Sequence, residues 1–444
     1  MIKVITYGTY DVLHYGHIRL LERAKALGDY LIVGVTSDDF DKSRGKINVQ
    51  ETLEERVEAV RKTGLADKII IEEYEGQKID DIKKYGIDIF TVGSDWIGYF
   101  DYLNEFCKVI YLDRTEGISS SEIRSKESRV SLGLVGYSSF LKKVYDESHY
   151  VNGLSVDALY TDKNNNLSSI LGEIPCVTHN YAELLNRVDA IYIHSHPNRH
   201  YEEVREALKA HKHVLCESPV ALKKTEIDEL IKIAAESNCV LMESLRTAFA
   251  IAYSRLLLLS KTGKIGEVVS VDATCTSLSI NPSNYLPEQR WNGMTAWAPT
   301  TLLPIFQLLG TDYKEVKIAS KCDQNRYFDS FSKIDFVYSH AVASAKVATD
   351  VKSEGELIIS GTKGYIYVPS PWWKTDYFEI RYENQSNNKR FFYQLDGEGI
   401  RYELVAFLKS INGQKVPNII DPAITRGIVD IMDLFYTGKN INFI

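Results

Sequence analysis

Two histidines three residues apart, His14 and His17, stand where an apolar stretch gives way to a helical one, in the run Thr6-Tyr7-Gly8-Thr9-Tyr10-Asp11-Val12-Leu13-His14-Tyr15-Gly16-His17. Imidazoles at that spacing on a helix start can point at one spot, and both can bond phosphoryl oxygens as charge grows in a transition state. Gly8 and Gly16 let backbone approach a phosphate closely, and the helix N-terminus adds unsatisfied N–H groups and a partial positive charge. A lone histidine is more often a satisfied structural side chain. Two of them in a glycine-bearing strand-to-helix turn point instead to phosphate chemistry.

The elements that must hold this turn alternate. Residues 2–8 read as a short strand, and 17–27 carry apolar residues at helical spacing before Gly28. Further strands are expected at 30–36, 68–71, 87–92 and 106–112, with a charged helix at 54–62, so the first region reads as a parallel α/β domain over 1–127. A second cycle follows at once. Strands at 130–135, 156–160, 190–194, 213–217 and 240–243, a helix beginning at 140–145, and amphipathic helices at 200–211 and 224–237 predict another Rossmann-like domain over 128–265. Strands rich in β-branched and aromatic residues, at 267–274, 332–338, 342–349, 355–360 and 364–368, predict an α+β domain with an open antiparallel sheet over 266–444.

Composition narrows the function. A chain of 444 residues with 44% hydrophobic and 25% charged residues is an ordinary globular protein of two or three domains. A net charge of -8 argues against nonspecific nucleic-acid or anionic-membrane binding and fits a small-molecule enzyme. No apolar run approaches the roughly 20 residues of a membrane helix, and the N-terminus enters a strand pattern with no signal-peptide layout, so a cytoplasmic location is expected. The six cysteines are scattered, without the close pairing of a zinc site, and read as buried reduced thiols. A homodimer is the expected assembly.

The first region resembles the glycerol-3-phosphate cytidylyltransferases of teichoic-acid synthesis, within the HxGH nucleotidyltransferase superfamily. The likeness spans residues 1 to about 124 and includes Leu20-Leu-Glu-Arg-Ala-Lys25, Gly93-Ser-Asp-Trp96 and Arg114-Thr-Glu-Gly-Ile-Ser-Ser-Ser-Glu-Ile-Arg124. It implies that His14 and His17 stabilise the α-phosphate under attack while Thr9, Tyr10, Asp11 and Gly16 form the phosphate loop. Lys46, with Arg44 beside it, resembles the basic loop that reaches the triphosphate and the acceptor. Arg114, Thr115, Ile118, Ser119 and Ser120 would hold nucleotide, Arg56 resembles the arginine after the mobile loop, and Asp95 and Trp96 would frame the base and acceptor side. The implied substrates are CTP with Mg²⁺ and glycerol phosphate or another polyol phosphate, and the metal ligands stay unassigned. At Tyr74-Glu75-Gly76-Gln77-Lys78 the chain departs from the family, which usually has a tryptophan there, and this leaves the acceptor open.

Residues 130–444 resemble the Gfo/Idh/MocA-type oxidoreductases through Asp189–Asn198 with His200, Lys212-His-Val-Leu-Cys-Glu-Ser-Pro219, and Gly361-Thr-Lys-Gly364. The family's catalytic lysine is Ser218 here, and its histidine and aspartate are Thr300 and Leu303. The glycine-rich turn keeps only Gly136 in Gly136-Tyr137-Ser138-Ser139-Phe140-Leu141, which crowds a pyrophosphate, although Asp162 could still hold a ribose. Two roles compete: a scaffold that does not use NAD(P), and a reductase that makes the polyol phosphate with NAD(P)H. The missing proton donor favours the scaffold, with His194, His196 or Tyr285 as substitutes in the other case.

Overall fold

The structure, a computed structural model, describes residues 1–43, 49–74, 76–112, 129–161, 172, 174–278, 292–322, 328–393, 395–414, 416 and 419–444. The chain divides into two compact units, Met1–Arg129 and Val130–Ile444.

The first unit runs β1 (Lys3–Gly8), α1 (Tyr15–Lys25), β2 (Tyr30–Thr36), α2 (Asp38–Ser43), α3 (Leu53–Lys62), β3 (Lys68–Glu72), α4 (Gln77–Tyr85), β4 (Ile89–Gly93) and β5 (Lys108–Leu112), with 3-10 turns at Ser94–Trp96 and Asp101–Glu105. Its strands are parallel in the order β3-β2-β1-β4-β5. β1 must be apolar on both sides because both faces of the sheet are covered. Val4 joins Leu21 and Ala24 of α1 and Val60 of α3, whereas Ile5 and Tyr7 join Ile82 of α4 and Phe90 of β4. Each buried aliphatic side chain of this kind contributes about 1.5–3 kcal/mol relative to exposure. Thr52 and Glu55 close a capping box at the start of α3, and His14 caps α1. The strand order reverses at β1, which has β2 on one side and β4 on the other. Ligands of open α/β sheets bind beyond the carboxyl ends of the strands at such a point. The turn after β1 and the Ser94–Trp96 turn after β4 share that edge.

The second unit opens with β6 (Val130–Gly136), α5 (Phe140–Ser148), β7 (Leu154–Tyr160), β8 (Cys176–Thr178), α6 (Tyr181–Leu185), β9 (Ala190–His194), α7 (Pro197–Lys209), β10 (His213–Glu217), α8 (Lys224–Glu236) and β11 (Leu241–Ser244). These strands form a parallel sheet in the order β11-β10-β9-β6-β7-β8, with its switch point between β6 and β9. There follow α9 (Ile251–Lys261), β12 (Val268–Thr276), α10 (Gly293–Leu309), β13 (Glu315–Cys322), β14 (Asp329–Val337), β15 (Val342–Ala348), β16 (Leu357–Gly361), β17 (Tyr365–Val368), β18 (Tyr377–Arg381), β19 (Lys389–Phe392), α11 (Ile400–Ile411), α12 (Pro422–Tyr436) and β20 (Ile441–Phe443).

Among the described residues these later strands build one sheet, β19-β18-β17-β16-β12-β15-β14-β13-β20. It is mixed, not wholly antiparallel: β12 pairs with β15 and β13 with β20 in parallel. A period-two pattern reports which residues share a face and carries no information on strand direction, which is why the expected open antiparallel sheet is corrected here to a mixed one. Val429 of α12 packs into the core around β9, β10, α7 and α8, so the last helix supports the six-stranded sheet of this unit. No disulfide joins the six cysteines, and among the described residues no helix is long and apolar enough to cross a membrane.

Candidate functional site

Beyond β1 the backbone passes through two left-handed residues, Tyr10 (φ 54°) and Val12 (φ 46°). Such conformations cost a non-glycine residue about 1–3 kcal/mol and persist where surrounding structure imposes them. Here the imposing groups are explicit. Asp11 Oδ1 accepts the N–H groups of Gln50 and Glu51, each at 2.9 Å, and Glu51 Oε2 accepts that of Val12 at 2.9 Å. Thr9 Oγ1 donates to Asp41 Oδ1 at 2.8 Å. Arg56, 0% exposed, donates to the carbonyls of Thr9 (2.6 Å), Thr36 (2.9 Å) and Glu51 (3.2 Å), bonds Asp38, and lies 3.7 Å from Asp41. Tyr10 fills the space below, so close that a Cβ on Gly8 would lie 3.0 Å from its ring, and burial pushes its phenol well above the ordinary range.

On this base the two imidazoles stack, with ring centroids 3.9 Å apart and planes 20° from parallel, and Tyr10 meets His17 edge-on at 5.5 Å. His14 Nδ1 accepts the Gly16 N–H at 3.0 Å. In the neutral ring the proton therefore sits on Nε2. Two adjacent imidazoles at the start of α1 can meet charge developing on a phosphoryl group.

The structure gathers Thr9, Tyr10, Asp11, His14, Gly16 and His17 at the turn from β1 into α1, with Arg56 of α3 bonded to it, in different capacities. Thr9 and Asp11 tie the loop to Asp41 of α2 and to the Gln50 and Glu51 amides before α3, Arg56 binds the Thr9 carbonyl from α3, and the Gly16 N–H serves His14. Arg56, which resembles the arginine after the family's mobile loop, is buried and bonded to protein acceptors. Asp95 and Trp96 lie in the turn after β4, where the Trp96 ring packs against Tyr99 (5.4 Å) and Phe100 (5.7 Å). Arg44, Lys46, Arg114, Thr115, Ile118, Ser119 and Ser120 lie outside the described residues. Sequence reasoning missed Asp41 and Glu51, which meet the loop only through the fold and leave no local pattern. It also missed the buried pair of Lys78 and Glu72, with the Lys78 ammonium 4.7 Å from the Tyr7 ring. Among the described residues no group of three or more His, Cys, Asp or Glu side chains could hold a metal ion.

In the second unit the position of the missing lysine, Ser218, is buried and donates to Glu243. Leu303 on α10 is fully buried, Thr300 on the same helix is half-buried, and Asp162 and Tyr285 lie outside the described residues. His194 pairs with Glu217 at 3.4 Å and packs on Phe140, with centroids 4.8 Å apart, whereas His196 caps α7. Burial works against the Glu217 charge, yet the His194 imidazole, the Arg246 guanidinium and the Tyr192 hydroxyl hold its carboxyl at about 2. Burial pushes Glu243 up to about 7 and Glu403 up to about 8, and the Glu217 charge adds to both. A cavity of about 230 Å³ lies at the carboxyl ends of β6, β7 and β9.

Residues 5–126 match the cytidylyltransferase-like family, and residues 130–245 match the oxidoreductase family with an NAD-binding Rossmann fold. The first region is similar to the glycerol-3-phosphate cytidylyltransferase of Bacillus spizizenii, 51% identical over 124 residues that make up 28% of this chain and 95% of that protein. The enzyme of the same name from Staphylococcus aureus is 48% identical over 126 residues, again 28% of this chain and 95% of the relative. The second unit is similar in fold to a 3-ketoreductase from Actinomadura kijaniata solved with NADP and TDP-benzene (TM-score 0.63, 16% identity, 71% of this chain and 100% of that one). A Synechocystis biliverdin reductase with biliverdin and NADP+ is likewise similar (TM-score 0.59, 16% identity, 70% and 99%).

Proposed function

The chain belongs to the glycerol-3-phosphate cytidylyltransferase family through its first 126 residues and is a nucleotidyltransferase; on that premise we propose that it joins CTP to glycerol 3-phosphate and releases pyrophosphate. The stacked His14–His17 pair at the start of α1 carries this reading. CTP enters as its Mg²⁺ complex, the metal travelling with the substrate. A phosphate oxygen of the acceptor attacks the α-phosphorus in line, the new P–O bond forms as the bond to the β-phosphate oxygen breaks, and CDP-glycerol and pyrophosphate result. His14 Nε2 and the His17 ring bond the α-phosphoryl oxygens as charge builds, and each such donor is worth about 10²–10³ in rate. Thr9, Asp11 and Arg56 fix the loop, Asp95 and Trp96 border the cleft, and Lys46, Arg114, Thr115, Ile118, Ser119 and Ser120 supply the remaining nucleotide and phosphate contacts. In this reading the enzyme works in the cytoplasm as a homodimer, and its product feeds a cell-surface polymer such as teichoic acid or capsule.

The second unit, in the same reading, does not catalyse hydride transfer. Ser218 is bonded to Glu243 and Leu303 is sealed in the core, so neither position offers a proton to a carbonyl. The test is incubation of the full chain with CTP or ATP, Mg²⁺ and a panel of glycerol, erythritol, ribitol and glucitol phosphates, followed by mass detection of products. CDP-glycerol as the main product is expected. Equal turnover with ATP, or NAD(P)H-dependent reduction of a carbonyl phosphate, would overturn the respective half.

A further inference from the structure

A dinucleotide in a doubly wound sheet crosses the switch point with its pyrophosphate on the N-terminus of the helix after the first strand. In the second unit that helix is α5, and its first-turn donors are already engaged. Ser138 Oγ accepts the Phe140 N–H at 3.2 Å, and the carbonyls of Ser138 and Ser139 accept those of Leu141 (3.0 Å) and Lys142 (3.1 Å). On the β9 side the Phe140 ring packs on His194, with the Arg246 guanidinium 4.6 Å from the Phe140 centroid, and His194 pairs with Glu217 at the end of β10. Gly136 allows no relief there, because the β6 and β9 backbones meet so tightly that a Cβ would lie 2.3 Å from the His194 carbonyl oxygen. The residues present do not fit a dinucleotide.

The β7 side differs. Its cavity of about 230 Å³ is lined by Tyr137, Tyr160, Thr161, His179, Arg199 and Glu203, among others. It is smaller than the roughly 300–1,000 Å³ of ordinary small-molecule sites. Thr161, 2% exposed at the end of β7, brings a hydroxyl with no bond among the described residues. His179 Nδ1 donates to the Thr161 carbonyl at 2.8 Å, which leaves Nε2 as an acceptor, and Arg199 bridges Tyr160 (3.3 Å) and the buried Glu203 (2.8 Å). Tyrosine rings for a base, a buried hydroxyl for a ribose and a guanidinium for a phosphate meet in a space for one nucleoside.

We infer that the crevice of the second unit is closed to a dinucleotide by Ser138 and Phe140 and binds a single nucleoside monophosphate against Thr161 and Arg199. The inference stands whatever acceptor the first unit uses. Titration calorimetry of the full chain with AMP, CMP, NAD+ and NADP+ tests it. A mononucleotide is expected to bind at a site weakened at least about tenfold by Thr161→Val and by Arg199→Gln, with cytidylyl transfer unchanged. Loss of AMP binding in these variants identifies a purine ligand. Loss of one class of CMP site identifies a pyrimidine, since the first unit's own CMP site does not include Thr161. NAD+ and NADP+ should bind no tighter than AMP, and Ser138→Gly combined with Phe140→Ala should gain at least about tenfold for them. Wild-type binding of either dinucleotide tenfold tighter than AMP, no mononucleotide site sensitive to Thr161 and Arg199, or no gain in the double variant would each overturn the assignment.

Discussion

Arg56 separates two readings of the phosphate loop most sharply. Replacing it with methionine keeps most of the volume and removes the guanidinium that holds the Thr9 and Thr36 carbonyls and stands beside Asp41, itself 0% exposed. Removing one partner of a buried ion pair costs about 3–5 kcal/mol, and a buried carbonyl deprived of its donor adds about 1–3. A loss on the order of 4–8 kcal/mol is a large part of the roughly 5–15 kcal/mol that keeps a domain folded. It should lower the unfolding temperature of the first unit by more than about 10 °C. Arg56→Lys should retain part of this, because a single ammonium cannot serve the Thr9, Thr36 and Glu51 carbonyls and Asp38 together. Scanning calorimetry of the full chain, with steady-state kinetics in CTP below the transition, reads both effects. If Arg56→Lys unfolds at the wild-type temperature while KM for CTP rises tenfold or more, the residue touches nucleotide and does not serve the loop alone.

Other outcomes follow from the same geometry. His14→Asn preserves a side-chain cap for α1 but removes the imidazole, so stability should stay within about 0.5 kcal/mol while kcat falls about 10²-fold or more; near-normal turnover refutes the proposed role at the phosphate. Glu403, raised to about 8, and Glu243, raised to about 7, favour the fold while protonated, a contribution complete below about pH 4.5 and lost as pH rises through 7–8. Urea midpoints should therefore fall from pH 5 to 9, and Glu403→Gln should reduce the stability lost over that range by on the order of 4 kcal/mol. Glu217, held at about 2, gives the opposite limb, stability lost as pH drops from about 4.5 toward 2. Gly136→Ala, which drives a Cβ to 2.3 Å from a backbone oxygen at a φ of 144°, should destabilise the second unit by more than about 2 kcal/mol; unchanged thermal unfolding of that unit counts against the close approach.

The histidine turn was legible because everything that defines it is local: a strand, two glycines, two imidazoles and a helix start within a dozen residues. Strands such as Ala190–His194 and His213–Glu217 were equally plain, since buried parallel strands read as short apolar runs between helices. What the sequence hid is long-range. Arg56 stands out in sequence only through the family resemblance, its bonds to α2 and the β1 loop coming from the fold, and Asp41 and Glu51 acquire meaning only from partners some 30 to 40 residues away. Strand direction in the large sheet was hidden for a related reason: β12 and β15 lie side by side although α10, β13 and β14 separate them in the chain.

Val12 has one more consequence. A β-branched residue at a φ of 46° is the least comfortable occupant of the left-handed region, and glycine or asparagine would sit there with far less strain. A screen for heat-tolerant descendants of this enzyme should reach position 12 early, because relaxing it returns part of the roughly 1–3 kcal/mol held in that backbone. The same bend sets the angle at which the chain enters the histidine turn. Survivors chosen for thermotolerance alone should therefore be sturdier and slower, and a durable biocatalyst would have to be selected for heat and turnover in the same round.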